Sequence, residues 1–372
     1  MSAEQGFVPP AYPYDRLAPL EAEAAAHDGG LVDLSVGTPC DPPPPAVLEA
    51  LAGSGAERGY PASIGSLALR VAIRDWFARV LDVEVDPDNV AACIGTKELV
   101  AGLPHWLHLR RPDRDTVLYP AVSYPSYEMG AILAGCRAVP VPVDDKWRLD
   151  LDAIDPADAA RALCLWSNTP GNPAGGLDDL DAVAAWGRAN DVVVLSDECY
   201  VAYTWEGPAR TILHSGDRGV LAVHSVSKTF NLAGLRVGFY SGDPDLVHYL
   251  SEVRKHAGFM VPGPAQHAAA VALAQDDAVV AQREVYRRRL ERMAAILGDA
   301  YGLEAPLPGG GFYLWVPAPD GDAWGLAARI AADAGALVSP GEFYGTQAAG
   351  HVRVAMVQPD ERIALVARRL GV

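Results

Sequence analysis

The stretch GVLAVHSVSK, residues 219–228, decides the fold of this chain, together with Arg236 eight residues beyond its lysine. Its apolar first half predicts a buried strand, so Lys228 stands where that strand ends. Burial removes water from an ammonium group, which lowers its pKa and leaves a neutral, nucleophilic amine. Such an amine reacts with aldehydes, while Ser225, Ser227 and Arg236 offer donors to a phosphate. This combination is typical of a pyridoxal phosphate site, although the motif alone is more often a solvated lysine at a strand end.

The composition limits the class of protein. The 372 residues exceed the usual size of one hydrophobic core, so two domains are expected. With 30 basic and 47 acidic residues, the net charge of −17 disfavours nucleic acid and anionic membranes as partners. The five cysteines show no metal or redox spacing, no apolar run reaches the ~18 residues of a membrane span, and Met1–Gln5 shows no secretory signal. We therefore expect a cytoplasmic protein without a metal site.

Residues 60–260 alternate between strand-like and helix-like segments. Most of the strand-like runs are almost continuously apolar, as strands covered on both faces should be. The alternation predicts an α/β domain with a mainly parallel, seven-stranded sheet. The predicted strands are Val90–Ile94, Thr116–Tyr119, Ala138–Val143, Ala162–Trp166, Val192–Leu195, Val220–His224 and Val237–Tyr240, and the predicted helices are Leu67–Leu81, Lys97–Leu109, Tyr127–Ala134 and Leu180–Ala189.

The pattern changes after residue 265. Gln266–Gly298 is predicted as one long helix with Arg287, Arg288 and Arg289 on its solvated face. Two further strands and two further helices follow, which predicts a smaller α+β domain. The predicted domains are an N-terminal arm, residues 1–40, that joins the small domain, a large cofactor-binding α/β domain, residues 41–264, and a small C-terminal domain, residues 265–372.

Polar residues follow four of the predicted strands, where ligands collect in open α/β sheets. Gly95–Lys97 opens a helix whose free amides suit a phosphate. Tyr124 is able to stack on an aromatic ring, and the amide of Asn172, held before a proline, suits a ring hydroxyl. Asp197 ends a buried strand and suits a protonated pyridine nitrogen. A turn, a helix cap or a structural acid explains each of these segments singly, but their coincidence at strand ends favours one cofactor site.

Taken together, the chain resembles the class I/II (fold type I) pyridoxal phosphate aminotransferases over nearly its whole length. The resemblance implies that the fold is that of these enzymes and that pyridoxal 5′-phosphate is the cofactor. It also implies amino acid and 2-oxo acid substrates and a homodimer with shared active sites. The segments that carry it are Asn168–Pro173, Asp197–Tyr200, Ser225–Lys228, Gly234–Gly238 and His351–Arg353.

The resemblance further implies a role for each site residue. Lys228 would bind the cofactor aldehyde and move the substrate proton, with Asp197 and Tyr200 as the other catalytic residues. Arg353, which a surface ion pair would also explain, would grip the substrate α-carboxylate. The implied cofactor-binding residues are Gly95, Thr96, Lys97, Tyr124, Asn172, Asp197, Tyr200, Ser225, Lys228, Arg236 and Tyr60, the last reaching a neighbouring subunit's phosphate. The implied substrate-binding residues are Gly37, Asn172, Arg353 and Lys97.

Several stretches resemble the bacterial N-succinyl-LL-diaminopimelate aminotransferases, which implies glutamate and 2-oxoglutarate as the second substrate pair. Because that substrate carries carboxylates far from the reacting amine, we predict that Lys97 binds one of them. A cation in the first turn of a helix is otherwise poorly placed. Arg254 and Lys255 are weaker candidates for the same role. The stretches are Tyr12–Asp15, Leu34–Pro39, Gly95–Glu98, Glu252–Lys255, Met260–Pro262 and Pro340–Gly345.

Other activities share these catalytic residues. Aspartate, aromatic and kynurenine aminotransferases and carbon–sulfur β-lyases are alternatives that the motifs do not separate. A non-catalytic regulator is not expected. Such a protein needs a helix-turn-helix module before Leu34 and a basic surface, whereas about thirty residues precede Leu34 here and the net charge is −17.

Overall fold

The computed structural model describes residues 6–372. Met1–Gln5 lies outside the described residues. The expected absence of a secretory signal concerns this stretch, and the predicted N-terminal arm begins in it. The strands are β1 (Val32–Asp33), β2 (Val90–Cys93), β3 (Thr116–Pro120), β4 (Arg137–Val141), β5 (Ala162–Asn168), β6 (Val193–Asp197), β7 (Val220–Ser225), β8 (Gly238–Gly242), β9 (Tyr313–Pro317), β10 (Ala336–Leu337), β11 (Ser339–Pro340) and β12 (His351–Ala355).

The helices alternate with these strands in the first two thirds of the chain and dominate the last third. They are α1 (Ala18–Ala25), α2 (Pro45–Ala52), α3 (Leu67–Leu81), α4 (Thr96–Arg110), α5 (Ser126–Leu133), α6 (Pro156–Arg161), α7 (Leu180–Ala189), α8 (Val226–Thr229), α9 (Pro244–His256), α10 (Gly263–Ala272), α11 (Asp276–Tyr301), α12 (Ala323–Ala334) and α13 (Asp360–Leu370).

A seven-stranded sheet in the order β2-β8-β7-β6-β5-β3-β4 forms the centre of the larger unit. Its pairs are parallel except those that β8 makes with β2 and β7, so the predicted mainly parallel α/β sheet is confirmed. The apolar strands are buried because helices cover both faces: α3, α7 and α10 on one, α4, α5 and α9 on the other. The parallel register brings the carboxyl ends of β5, β6 and β7 side by side.

A smaller unit is built on the antiparallel sheet β11-β12-β9 and is covered by α11, α12 and α13. The N-terminal segment joins it through β1, which pairs in parallel with β10 and buries Val32 and Leu34 in the same core. The domain boundaries stay a prediction. The packing of α10 favours a boundary between the large and the small domain that lies after residue 265. Ala265, Ala268 and Ala269 lie in the core beneath the large sheet.

Two sequence-based predictions for the C-terminal part were wrong. The helix predicted over Gln266–Gly298 is two helices, α10 and α11. Arg289 is not on a solvated face, because it is only 4% exposed. Its two Nη atoms donate to the carboxylate of Asp41 at 2.6 and 2.8 Å, and its Nε donates to Asp360 at 2.6 Å. Arg289 therefore ties the N-terminal segment to α11 and α13, whereas Arg287 is exposed as predicted.

None of the helices between residues 6 and 372 combines the length and the apolar character that crossing a bilayer requires.

Replacing Arg289 with alanine should lower the free energy of unfolding by about 3 kcal/mol, because it removes one partner of a largely buried ion pair. Urea denaturation followed by circular dichroism measures the change. Arg287→Ala is the matched control on the same helix, since its pair with Glu291 is exposed and its loss should cost about 0.5 kcal/mol or less. Equal effects of the two substitutions would contradict the bridging role of Arg289.

Candidate active site

A cavity of about 410 Å3, here called the site cavity, lies at the carboxyl ends of β5, β6 and β7. Every predicted site residue except Gly95 and Tyr60 lines it. No cluster of possible metal ligands occurs among residues 6–372. The residues that line the cavity and were predicted are Gly37, Thr96, Lys97, Tyr124, Asn172, Asp197, Tyr200, Ser225, Lys228, Arg236 and Arg353.

Lys228 enters the cavity from α8, which begins directly after β7. The side chain of Ser225 caps this short helix by accepting a hydrogen bond from the amide of Ser227 at 3.1 Å. The Nζ atom of Lys228 donates to the carbonyl oxygen of Gly37. Burial lowers the pKa of Lys228 to about 8, and the positive charge of Arg353 acts in the same direction. The neutral share of this amine near physiological pH is therefore far larger than that of an ordinary lysine.

Asp197, the last residue of β6, is a buried carboxylate. The hydroxyl of Tyr127 donates to its Oδ2 at 2.8 Å, and the amide of Cys199 donates to its Oδ1 at 3.2 Å. Burial nevertheless raises the pKa of Asp197, because these donors do not replace the lost water. A cationic group in the cavity would restore the charge, so the site of Asp197 fits a protonated ring nitrogen.

Arg236 and the first turn of α4 line one corner of the cavity. Gly95 precedes α4 with a φ of 72°, and a Cβ atom there would lie 2.1 Å from the Arg236 guanidinium. A side chain at residue 95 would therefore displace the guanidinium from its place beside the start of α4. A guanidinium beside a helix N-terminus suits a phosphate.

Arg353 on β12 forms the opposite, cationic side of the site. Its Nη1 donates to Oδ1 of Asn172 at 2.7 Å, and its Nη2 donates to the hydroxyl of Tyr14 at 3.0 Å and to the carbonyl of Ser35. Its Nε is buried without a hydrogen-bond partner among residues 6–372. The alternative explanation of Arg353 as part of a surface ion pair is thus excluded. Its side chain is 1% exposed and has no carboxylate partner among residues 6–372. A buried guanidinium with a donor to spare fits a carboxylate.

Gly37 and two tyrosines pack tightly between Lys228 and Arg353. The hydroxyls of Tyr200 and Tyr313 are 2.9 Å apart. A Cβ atom at Gly37 would lie 2.0 Å from the hydroxyl oxygen of Tyr313. The absence of a side chain at residue 37 is therefore what allows Tyr313 to reach Tyr200.

Lys97 lies at the mouth of the site cavity with an exposed side chain. Its Nζ is 3.3 Å from the hydroxyls of both Tyr12 and Tyr124, which are themselves 3.1 Å apart. The ammonium also lies 4.9 and 5.3 Å from the centres of these two rings. Its polar contacts in the described chain are thus neutral phenols, and a carboxylate ligand would be its first anionic partner.

Arg254 and Lys255, the weaker candidates for a distal carboxylate, do not line the site cavity. Arg254 is buried and donates to both carboxylate oxygens of Glu98 at 2.6 and 3.0 Å. Because Glu98 also accepts from the amide of Ile94, this pair holds the turn before α4. Lys255 forms an exposed ion pair with Glu252. The structure thus gives both residues structural partners.

Tyr60 is 98% exposed and lies outside the cavity of its own chain. Other cavity residues were missed by the sequence reasoning: Tyr12 and Tyr14, quoted only for the resemblance, Tyr127 and Tyr313. One feature of the sequence could have indicated that Tyr127 lines the cavity. It lies three residues after Tyr124, at the start of a predicted helix. Tyr313 lay in a predicted strand, but the pattern did not indicate which strand residue faces the site.

Comparisons with known proteins agree on one family. The family model for aminotransferases of class I and II matches residues 30–370. The chain is 40% identical, over 97% of its length and 99% of the relative's, to a 4-dedimethylamino-4-oxo-anhydrotetracycline transaminase of Streptomyces rimosus. It is 34% identical, over 97% and 95%, to an LL-diaminopimelate aminotransferase of Desulforudis audaxviator. The solved structure of a probable N-succinyldiaminopimelate aminotransferase from Thermus thermophilus superposes with a TM-score of 0.86 at 29% identity, covering 96% of this chain and 98% of that one.

The family implies pyridoxal 5′-phosphate as the cofactor, and the residues present fit it. Lys228 is a partly neutral amine for its aldehyde, and the buried carboxylate of Asp197 suits its ring nitrogen. Arg236 and the start of α4, which a Cβ atom at Gly95 would obstruct, suit its phosphate. Each charged part of the cofactor thus meets a complementary group.

The covalent binding of pyridoxal phosphate to the cofactor-free protein should accelerate with a midpoint near pH 8, the pKa of Lys228. The sign follows because the neutral amine, which reacts, is the form that becomes populated as the pH rises through that pKa. Stopped-flow absorbance in the visible range measures the rate. Lys228→Ala is the control and should give no absorbance change. A midpoint near that of an ordinary lysine, 10.5, would contradict the effect of burial.

Replacing Gly37 with alanine should lower turnover by about 100-fold, because the new methyl group displaces Tyr313 and the carbonyl that accepts from Lys228. Gly298→Ala is the matched control, since a Cβ atom there would lie 3.7 Å from the Leu303 carbonyl oxygen, an ordinary contact, and it should leave turnover unchanged. Thermal unfolding of both variants separates a local defect from a loss of fold. Full activity of Gly37→Ala would show that the space is not needed.

Proposed function

The chain belongs to the class I and II aminotransferase family, and we propose which reaction it catalyses. It transfers an amino group between glutamate and N-succinyl-2-amino-6-oxopimelate. This is the reaction of N-succinyl-LL-diaminopimelate aminotransferases in the synthesis of lysine and diaminopimelate. Aminotransferase activity follows from the family match and the relatives. The choice of substrate depends on Lys97 and on the resemblance to the Thermus structure.

The position of Lys97 is the observation that carries the proposal. Arg353 is buried deep in the site cavity and offers a spare donor for the carboxylate next to the reacting carbon. Lys97 lies at the mouth of the same cavity, and among residues 6–372 its ammonium group makes polar contacts with two phenols alone. Two separate cations fit a substrate that carries a second carboxylate far from the reacting amine. A small monocarboxylate donor would leave Lys97 without a partner.

The chain's own residues account for the catalytic steps. Pyridoxal 5′-phosphate, when bound, supplies an aldehyde for the amino group and a cationic ring that withdraws electrons. The amine of Lys228, with its pKa near 8, accepts the proton from the substrate α-carbon and returns it to the cofactor side. Asp197, held by Tyr127, keeps a negative charge beside the ring nitrogen. Arg353 fixes the α-carboxylate, so the α-carbon is presented to Lys228 in one orientation.

The remaining site residues are proposed in supporting roles. Asn172 and Tyr200 contact the ring hydroxyl, and Tyr124 stacks on the ring. Ser225, with Gly95 and Thr96, binds the phosphate. Asn172 is already oriented, because its Oδ1 accepts from Arg353 and its backbone N–H donates to Oδ1 of Asn168 at 2.8 Å. Asn172 therefore links the cofactor side of the site to its substrate side.

A cytoplasmic homodimer with shared active sites completes the proposal. The full exposure of Tyr60 supports it, because a tyrosine outside its own cavity is free to reach the phosphate of a neighbouring subunit. Sedimentation of the purified protein measures the dimer, and a monomer with full activity would exclude the shared site.

LL-diaminopimelate is the second candidate substrate, and the relative from Desulforudis favours it. Its distal end carries both an amino group and a carboxylate, so Lys97 would again meet an anion. A panel of amino donors with 2-oxoglutarate separates the two: N-succinyl-LL-diaminopimelate, LL-diaminopimelate, aspartate, phenylalanine and kynurenine. We expect the highest kcat/KM for the succinylated donor. A higher value for another donor would overturn the choice of substrate. Release of pyruvate and ammonia from a donor with a β carbon–sulfur bond, such as cystathionine, in place of glutamate formation would indicate a β-lyase.

Replacing Lys97 with methionine should raise the KM for the succinylated donor about tenfold, the effect of losing one charge-assisted contact. Steady-state kinetics with 2-oxoglutarate measures the change. Lys255→Met is the matched control, since Lys255 is an exposed lysine whose partner is Glu252. An unchanged KM for Lys97→Met would exclude the role of Lys97.

A further inference from the structure

A second cavity of about 760 Å3, here called the outer cavity, opens beside the site cavity. The two share Tyr12, Lys97, Tyr124 and Ser126, which form the neck between them. The outer cavity thus adjoins the site cavity, and exposed side chains, among them Arg16, line it. Its side walls are partly apolar, with Met129, Ile132 and Phe343 among them, and its outer rim includes Arg16, Glu342 and Thr346.

The outer cavity contains a second cation that is fixed in place. The Nη2 of Arg16 lies 2.7 Å from Oε1 of Glu342, and the indole Nε1 of Trp324 donates to the same oxygen at 2.7 Å. The guanidinium of Arg16 also lies 5.0 Å from the centre of the Trp324 ring. The side chain of Arg16 is nevertheless 53% exposed, so the guanidinium can still reach a further ligand.

The dimensions of the site cavity require a place for the rest of a long substrate. Its 410 Å3 must hold the cofactor and the reacting end of the substrate. A succinylated diaminopimelate extends beyond the reacting carbon through methylene groups, a carboxylate, an amide and a terminal carboxylate. In the same direction, the outer cavity offers Lys97 at the neck, apolar side walls and Arg16 at the rim.

We propose that the outer cavity binds the succinylamide arm of the amino substrate. This inference rests on the proposed function. Lys97 binds the carboxylate nearest the neck, the apolar walls contact the methylene groups, and Arg16 binds the terminal carboxylate of the succinyl group. Glu342 competes with that carboxylate for Arg16, so the chemistry of the outer cavity selects the length and charge of the arm.

Two variants that are expected to change the substrate preference in opposite directions test the assignment in the intact holoenzyme. Arg16→Gln should lower the ratio of kcat/KM for the succinylated donor to that for glutamate about tenfold, because it removes the cation at the rim. Glu342→Gln should raise the same ratio about threefold, because it removes the competing carboxylate. Arg74→Gln is the control, since Arg74 pairs with Asp75 on the surface and lines neither cavity. Unchanged ratios for both rim variants would overturn the inference.

A binding measurement provides a readout that is independent of catalysis. N-succinyl-2-aminopimelate carries the whole arm with its two carboxylates but no free amino group, so it cannot react. Calorimetry should show that Thr346→Trp, which fills the outer cavity, weakens its binding about tenfold, whereas Arg74→Gln leaves it unchanged. Equal affinity of the wild type and Thr346→Trp would exclude the outer cavity as the binding site.

The two proposals fail in different ways. If the wild type does not convert the succinylated donor, the proposed substrate is wrong and the outer cavity loses its ligand. If the wild type converts that donor but the rim and filling variants behave as the control does, only the assignment of the outer cavity is wrong.

Discussion

The removal of water from Lys228 is the constraint on which the active site depends. Burial brings the pKa of this amine to about 8, and the charges of Arg353 and Arg236 act in the same direction. The same burial raises the pKa of Asp197. The protein thus places an amine and a carboxylate where neither is well solvated. A ligand with an aldehyde, a cationic ring and an anionic phosphate is complementary to Lys228, Asp197 and Arg236 respectively.

The N-terminal segment links Lys97 and Arg353, two cations that line the site cavity. Tyr12 contacts the ammonium of Lys97, while Tyr14 accepts from Arg353 and lies 2.8 Å from the hydroxyl of Tyr344. The rings of Tyr12 and Tyr14 stack with their centres 5.5 Å apart. A short run of tyrosines therefore spans the site from the mouth to the buried guanidinium. Charged side chains in this place would compete with a substrate, whereas phenols orient the cations and leave their charges free.

The sequence predicted the sheet because buried parallel strands are almost continuously apolar, and it predicted the site because their carboxyl ends meet. The errors come from contacts between distant parts of the chain. Arg289 was assigned to a solvated face because its partners Asp41 and Asp360 lie far from it in sequence. Tyr127 was missed for the same reason, since its contact with Asp197 forms only in the fold. The two-residue strands β1 and β10 are too short to show a periodic pattern.

The close packing at Gly37 divides the site into a part that resists change and a part that accepts it. A side chain at residue 37 meets Tyr313, which is bonded to Tyr200, so a tolerated substitution there requires simultaneous changes at several positions. Thr346 and Ile132 line the outer cavity with exposed side chains, so single substitutions there should be accepted. Laboratory evolution towards a new amino donor would therefore advance by single mutations at the entrance, while the catalytic interior stays the same.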